Sequence, residues 1–555
     1  MTYQIKYWLT CLLLFCFSFP IDVFSQYSDT IYINPEFSGE GKGTIEQPFH
    51  SWKDISKFQN NTFYAQKRGT KCIINGTIDI YHGSFVKFGT YDEGNNYATI
   101  QNLSTGNDKT ICINSSNHCT VEGFSLTGTY QTTCGILISD DWQPSEFKGN
   151  CTAISNCNIE TFCWGIRMIK YGNSPFDTVM VNNVHIHNIY QDGMFIQGWG
   201  DEPLRKVSIT NCNIDSVNQS YQPGIDESIA EGDGIQISRT VDQWIIKDCI
   251  IDRRNSSNKF CIIDNDESGT NKCRGTIEGC ILYAPDTGFG GLACYFSGLK
   301  SIDFKNNRVY GNNLSRTIMT RWGTECHCAV NIFSKSGESS PEVVFDLGAG
   351  PNYIHNNTFY GASKVFHFTS GYDETEVINN IFHSAGTVYE DWVETQKDYN
   401  LYFNSTVDEN EPHSIYYKDP LFIDPKNDDF NLKEGSPAID NGSNLGYTSD
   451  LSGNTLPKGN GYDFGALEYV APSGNDRMTE NQKILIYPNP AKDDITVITA
   501  NPGVLRLVGL DGRTIRYWNI STGKNFIKIN EFRGYFLIKF TSQFNQESLS
   551  KLVIP

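Results

Sequence analysis

Asp192 and Asp233 each stand directly before a glycine that opens a short alternating run, Asp-Gly193-Met-Phe-Ile and Asp-Gly234-Ile-Gln-Ile. If the two runs stack as neighbours facing solvent, their carboxylates come within about 5 Å and repel, so a cation bridges them or one holds its proton to higher pH. Oxygen donors surround the pair: Asp226, Glu227 and Glu231 precede Asp233, and Asp264, Asn265 and Asp266 follow it. Six or more carboxylate and amide oxygens suit Ca²⁺ better than a transition metal, so Ca²⁺ is the expected cofactor. Cations are interleaved with them at Arg167, Lys170, Arg239, Arg253 and Lys259. Trp199 and Tyr221 add aromatic faces of the kind on which sugar rings stack. The chain has 44 Lys plus Arg against 63 Asp plus Glu, a net charge of −19, which argues against nucleic acid as a partner. In so acidic a protein a local cluster of basic residues points to an anionic ligand.

These residues need a scaffold, and self-similarity supplies it. Segments built like Trp-Gly165-Ile-Arg-Met, at Gly135, Gly165, Gly193, Gly234, Cys261 and Gly291, recur every 27 to 41 residues, each a short strand of period 2. The longest spacing runs from Gly193 to Gly234, so this repeat carries the largest insertion, the acidic loop before Asp233. A second series places Phe124, Cys157, Val184, Cys212, Cys249 and Cys280 at one repeat position, which continues as Asn307, Asn357, Asn380 and Asn400. Equivalent side chains in a stack spaced about 4.8 Å apart touch like cross-strand pairs, and inward asparagines satisfy one another and the turns. The fold class this predicts is all-β, a parallel β-helix solenoid. Seventeen cysteines, two of them (Cys11 and Cys16) in an apolar leader, leave an odd number that cannot pair completely.

The stack resembles right-handed parallel β-helix proteins of the pectate-lyase-like superfamily over roughly Asp29 to Tyr469. The opening Ile31-Tyr-Ile-Asn-Pro35 with Gln47-Pro-Phe49 is similar to the cap of many secreted members. The closing Asp419-Pro-Leu-Phe-Ile-Asp-Pro425 and Gly461-Tyr-Asp-Phe-Gly465-Ala-Leu-Glu-Tyr469 are similar to their terminal segment. From Ile484 the composition changes, and Tyr487-Pro-Asn-Pro490 followed by alternating strands resembles the C-terminal sorting domain of type IX secretion substrates in the Bacteroidota. The expected organisation is a signal peptide at 1–25, a β-helix at 26–470, a linker at 471–482 and a small β-sandwich sorting domain at 483–555. That organisation implies export to the cell surface or the medium, with the secretion machinery as one partner. No later apolar run is long enough to span a membrane, and a monomer is expected.

For function, the resemblance and the residues together imply an enzyme acting on an extracellular acidic polysaccharide. In β-elimination a cation or Arg neutralises the substrate carboxylate and a basic side chain removes the neighbouring proton, with Lys259 or Arg239 in that role. Glu231-Gly-Asp233-Gly with Lys259 downstream is similar to the calcium motif and following base of some β-helix pectate lyases, although the second acidic residue of that motif is missing. Arg167, Lys170, Arg253, Trp199 and Tyr221 would hold the substrate. The alternative reaction is hydrolysis by Asp192 and Asp233, which resemble the aspartates of polygalacturonase-like enzymes. Inverting hydrolysis asks for carboxyls about 6.5 to 9.5 Å apart, wider than adjacent coils place them. A third possibility is a non-catalytic glycan-binding or adhesive solenoid.

Overall fold

A computed structural model describes residues 27–554 apart from 95, 141–150, 172–175, 200–203, 218–231, 240, 255–259, 266–271, 286–291, 312–315, 336–342, 349, 369–373, 390–394, 472–483, 488–490, 492–493, 500–501, 510–513, 522, 531 and 543–546. The expected signal peptide and all of the linker but Ala471 lie outside the described residues. Among the described residues, strands and turns make up nearly the whole chain, with helix confined to short 3-10 turns such as Trp52–Asp54 and Pro425–Asn427.

The chain winds as the right-handed parallel β-helix that its repeats predict. One wall is a 12-stranded parallel sheet that runs in chain order from Ile78–Tyr81 to Thr387–Tyr389. The register is unbroken along it: Ile136, Ile166, Met194, Ile235, Ile262, Cys294, Ile318, Phe345 and Phe366 are successive partners. These side chains are buried and form one line of the core. The glycine that opens several strands is required by the stack. A Cβ on Gly193 would lie 2.6 Å from the Gly234 carbonyl and 2.6 Å from Ile214 Cγ2.

The other walls form a 26-stranded sheet, and a tight corner within it explains the recurring Asn-Cys and Asn-Asn pairs. Asn156, Asn211, Asp248, Asn306, Asn356 and Asn379 all take left-handed backbone, with φ between 51° and 61°, a conformation that Asn and Asp tolerate better than most residues. The residue after each turns inward. Cys212 N–H donates to Cys249 Sγ at 3.4 Å and Cys249 N–H to Cys280 Sγ at 3.5 Å. Cys280 N–H then donates to Asn307 Oδ1 at 2.9 Å, and the ladder continues through Asn331, Asn357 and Asn380 to Asn400. Asn331 belongs to this column although the sequence comparison passed over it. The fifteen cysteines among the described residues are free thiols. Burial pushes the Cys157 thiol up to about 12, so that sulfur behaves as a small apolar group rather than a nucleophile.

After the last coil the chain returns over the outside of the 26-stranded sheet. Phe422, Phe430, Leu432, Phe464 and Ala466 pack on Ile332, Ile381 and Leu401, and Ala466 N–H donates to Thr358 Oγ1 at 3.1 Å. The C-terminal part is a separate small sandwich. Its two antiparallel sheets, one of three strands and one of four, enclose Ile495, Val497, Leu505, Leu507, Ile527, Ile538 and Leu552.

Candidate functional site

Trp164–Lys170, Met194–Gly198 and Ile235–Arg239 are consecutive strands of the 12-stranded sheet. Period 2 sends Ile166, Met194 and Ile235 into the core and leaves Arg167, Phe195 and Gln236 as partners on the outer face. The Arg167 guanidinium lies 4.3 Å from the Trp164 ring centre and 5.4 Å from that of Phe195. Its Nε is buried with no hydrogen-bond partner, an unspent donor beside the aromatic rings. At the strand ends Arg239 stacks over Trp199 at 3.3 Å, and the Trp199 indole donates to Gln197 Oε1 at 2.6 Å. Arg239 is held there with φ 65°, an uncommon conformation for its residue type. The strip therefore combines flat aromatic faces with guanidinium groups, the chemistry that binds an anionic sugar.

Asp192 and Asp233 are vertical neighbours, as expected, but they are turned away from solvent, with exposures of 4% and 3%. Asp192 Oδ1 accepts the backbone N–H of Asp233 at 2.7 Å and Oδ2 accepts the Trp164 indole N–H at 3.1 Å. Asp233 Oδ1 accepts the Phe260 N–H at 2.9 Å. Each carboxylate thus ties its coil to the next. Burial raises Asp192 from an ordinary 3.8 to about 6, against the pull of the Asp233 N–H, the Trp164 indole, Arg253 and Arg167. The repulsion between the two acids is relieved by an internal cation. Arg253, assigned from sequence to substrate, is completely buried, donates through Nη2 to the Gly232 carbonyl, and feels both carboxylates. Burial lowers its pKa and the two aspartates hold it up.

Two other expectations change in the same way. Lys170 is 2% exposed and is enclosed by the fold rather than offered to a ligand. Asp264 is the partner of Ile237 and Phe296 and points into the solenoid, where Oδ2 accepts the Trp244 indole N–H at 2.5 Å and lies 3.4 Å from Cys273 Sγ. Asp264 therefore does not fit a calcium site. Among the described residues no three His, Cys, Asp or Glu side chains come together as metal ligands. Tyr221, Asp226, Glu227, Glu231, Lys259 and Asp266 lie outside the described residues.

The structure also assembles a group that the sequence reading missed. The outer column that carries Arg167 and Phe195 continues through Gln236, Ile263, Tyr295 and Met319 to Asp346 and His367. The Asp346 side chain is wholly buried among cations: Arg316 Nε contacts Oδ2, Arg321 Nη2 is 3.0 Å from Oδ2, and His367 Nδ1 is 3.4 Å from Oδ1. The signal was present in the sequence. Val-Phe345-Asp346-Leu and Val-Phe366-His367-Phe hold the register of Gly-Ile-Arg167-Met, past the repeat that ends at Gly291.

Comparison with known proteins bears on export. Residues 485–555 match the family model described as the secretion system C-terminal sorting domain. The protein is therefore a substrate of the type IX secretion machinery, and its destination is the cell surface or the medium. No described helix is long and apolar enough to cross a membrane. No curated protein sequence matches the chain. Similar solved structures include tailspike protein 2 from Escherichia coli O157:H7 bacteriophage CAB120, at 13% identity over 94% of this chain and 68% of that one, with a TM-score of 0.39. An alginate lyase from Paenibacillus sp. str. FPU-7 is similar at 10% identity over 62% and 99%, with a TM-score of 0.33. A lacto-N-biosidase from Eubacterium ramulus is similar at 11% identity over 59% and 68%, also with a TM-score of 0.33.

Proposed function

We propose that the protein is an extracellular enzyme, acting as a monomer, that cleaves an acidic polysaccharide by β-elimination, with the substrate lying along the outer face of the 12-stranded sheet. The observation that carries this reading is the strip of Trp164, Arg167, Phe195, Trp199 and Arg239, where two guanidinium groups stack on aromatic rings in a protein of net charge −19. Elimination needs the substrate carboxylate neutralised and a base beside the acidified C–H, and guanidinium groups supply the first requirement without a metal. Hydrolysis by Asp192 and Asp233 is disfavoured, because the described hydrogen bonds commit both carboxylates to backbone and indole donors inside the wall. Lys259, the base that the resemblance to pectate lyases implies, lies outside the described residues. Asp226, Glu227 and Glu231 are the residues that would hold Ca²⁺.

The test is a panel of uronate polysaccharides incubated with the mature chain, read for both ultraviolet absorbance of unsaturated products and new reducing ends, with and without chelator. Absorbance rising together with reducing ends supports elimination. Reducing ends without absorbance point to hydrolysis, and binding without either product points to an adhesive solenoid.

A further inference from the structure

The same outer column reaches the Asp346 charge cluster five coils beyond Phe195, about 24 Å away at about 4.8 Å per coil and within reach of one oligosaccharide. We propose that His367 is the base of the elimination, oriented by Asp346, and that Arg316 and Arg321 hold the substrate's carboxylate. This assignment rests on the polysaccharide reading above and gives that reading a reacting centre.

Charge and exposure support it first. Two guanidinium groups face one carboxylate, so the group keeps a surplus positive charge on the surface of an acidic protein. The carboxylate is 0% exposed, whereas the side chains of Arg316, Arg321 and His367 are 36%, 22% and 28% exposed. An arriving anion therefore meets the cations and not the acid. Asp346 is also poorly satisfied for a buried group: its oxygens are held by ion pairs, and neither has a well-directed hydrogen bond. Arg321 is fixed from behind, because Nη1 donates to the Thr320 carbonyl at 2.8 Å and to the Asp346 carbonyl at 3.2 Å. A guanidinium anchored in this way is preorganised for a ligand carboxylate.

The imidazole supplies the second half. His367 Nδ1 faces Asp346 Oδ1 at 3.4 Å without a directed hydrogen bond; when that contact tightens, the carboxylate holds the proton on Nδ1 and Nε2 carries the lone pair. Contacts of this kind are often long before substrate binds and tighten afterwards. In the step, the C5–H bond of the uronate breaks and its proton goes to Nε2. The electron pair of that bond forms the C4–C5 double bond, the C4–O bond breaks, and the leaving oxygen takes a proton from water. Arg316 and Arg321 stabilise the negative charge that grows on the carboxylate as the C–H bond opens. Asp346 is a positioning residue and does not itself touch the substrate.

The experiment uses the full secreted chain with polygalacturonate, alginate and a glucuronate-containing glycosaminoglycan as probes, read by product absorbance. His367→Ala is expected to lower kcat about 100-fold or more with KM nearly unchanged, and added imidazole should restore part of the rate. Arg321→Ala is expected to lower kcat and raise KM together, because Arg321 holds the carboxylate and steadies the charge that grows on it, and His185→Ala, on the other sheet, should match wild type. If His367→Ala does not fold, His367→Gln takes its place, judged by circular dichroism and kcat. A wild type that cleaves a probe while the folded His367 variant stays within threefold overturns this assignment alone, as does activity abolished by Lys259→Ala but kept by the His367 variant. A wild type that cleaves no probe removes the enzyme reading, and this centre falls with it.

Discussion

Two sets of buried charge lie in the coils of this solenoid and use them in opposite ways. Around Asp192 and Asp233 the acids face backbone and indole donors and the balancing Arg253 is sealed inside, so the charges fasten one coil to the next. Around Asp346 the acid is sealed and its cations reach the surface. The difference comes from register. Asp192 and Asp233 occupy the corner just before a strand, where a carboxylate can accept the next coil's N–H, whereas Asp346 occupies the outward parity of a strand, whose N–H groups are already used by the sheet. Charge content alone does not tell an internal fastener from a reacting group.

Breaking each set separately should expose this contrast. The largest effect is expected for Arg253→Met, which leaves Asp192 and Asp233 without their buried counter-charge and should cost about 3 to 5 kcal/mol in urea unfolding. If stability is unchanged, the fastening role is wrong. Next comes the pH response of Asp192→Asn. A carboxyl raised from 3.8 to about 6 makes the folded state bind more protons than the unfolded state between those values, so it lowers stability as pH rises through that window. The penalty approaches about 3 kcal/mol above pH 6, and the Asn variant lacks it. The thermal midpoint of the variant relative to wild type should therefore climb from pH 4 to pH 7. Asp346→Asn, the same substitution in the other set, should cost about 1 kcal/mol or less, because its cations are partly hydrated, while lowering kcat strongly. The smallest effect is expected for Trp199→Ala, a loss of about 1 kcal/mol in polysaccharide binding, or roughly fivefold in affinity by titration, through the lost stacking platform.

The fold was readable because a solenoid repeats its reasons. The left-handed corner asks for Asn, Asp or Gly and the position after it asks for a small inward group, so Asn156-Cys157, Asn211-Cys212 and Asn356-Asn357 announce the same turn three times. Asn331 was harder to see because its corner is filled by Val330, held at φ 59°. Vertical adjacency of Asp192 and Asp233 followed from the spacing. Their burial did not, because it depends on what closes over the corner. Asp264 illustrates the same limit: alternation fixed its parity, but an acid inside the wall makes sense only once Trp244 is seen to donate to it. The Asp346 group escaped notice because its members are 30 residues apart at Arg316 and Asp346 and 21 apart at Asp346 and His367, and they converge only through the stack.

The asparagine column must also end somewhere, and its last rung is closed. Asn400 N–H donates to Ser414 Oγ at 2.8 Å and its Nδ2 to Glu411 Oε2 at 3.1 Å, while Tyr402 donates to the other Glu411 oxygen at 2.7 Å. An open final coil would offer unpaired amides to the first coil of another molecule and template end-to-end polymerisation. Glu411 acts as a stopper, which lets a protein destined for a crowded cell exterior carry a long parallel stack without growing into a fibre.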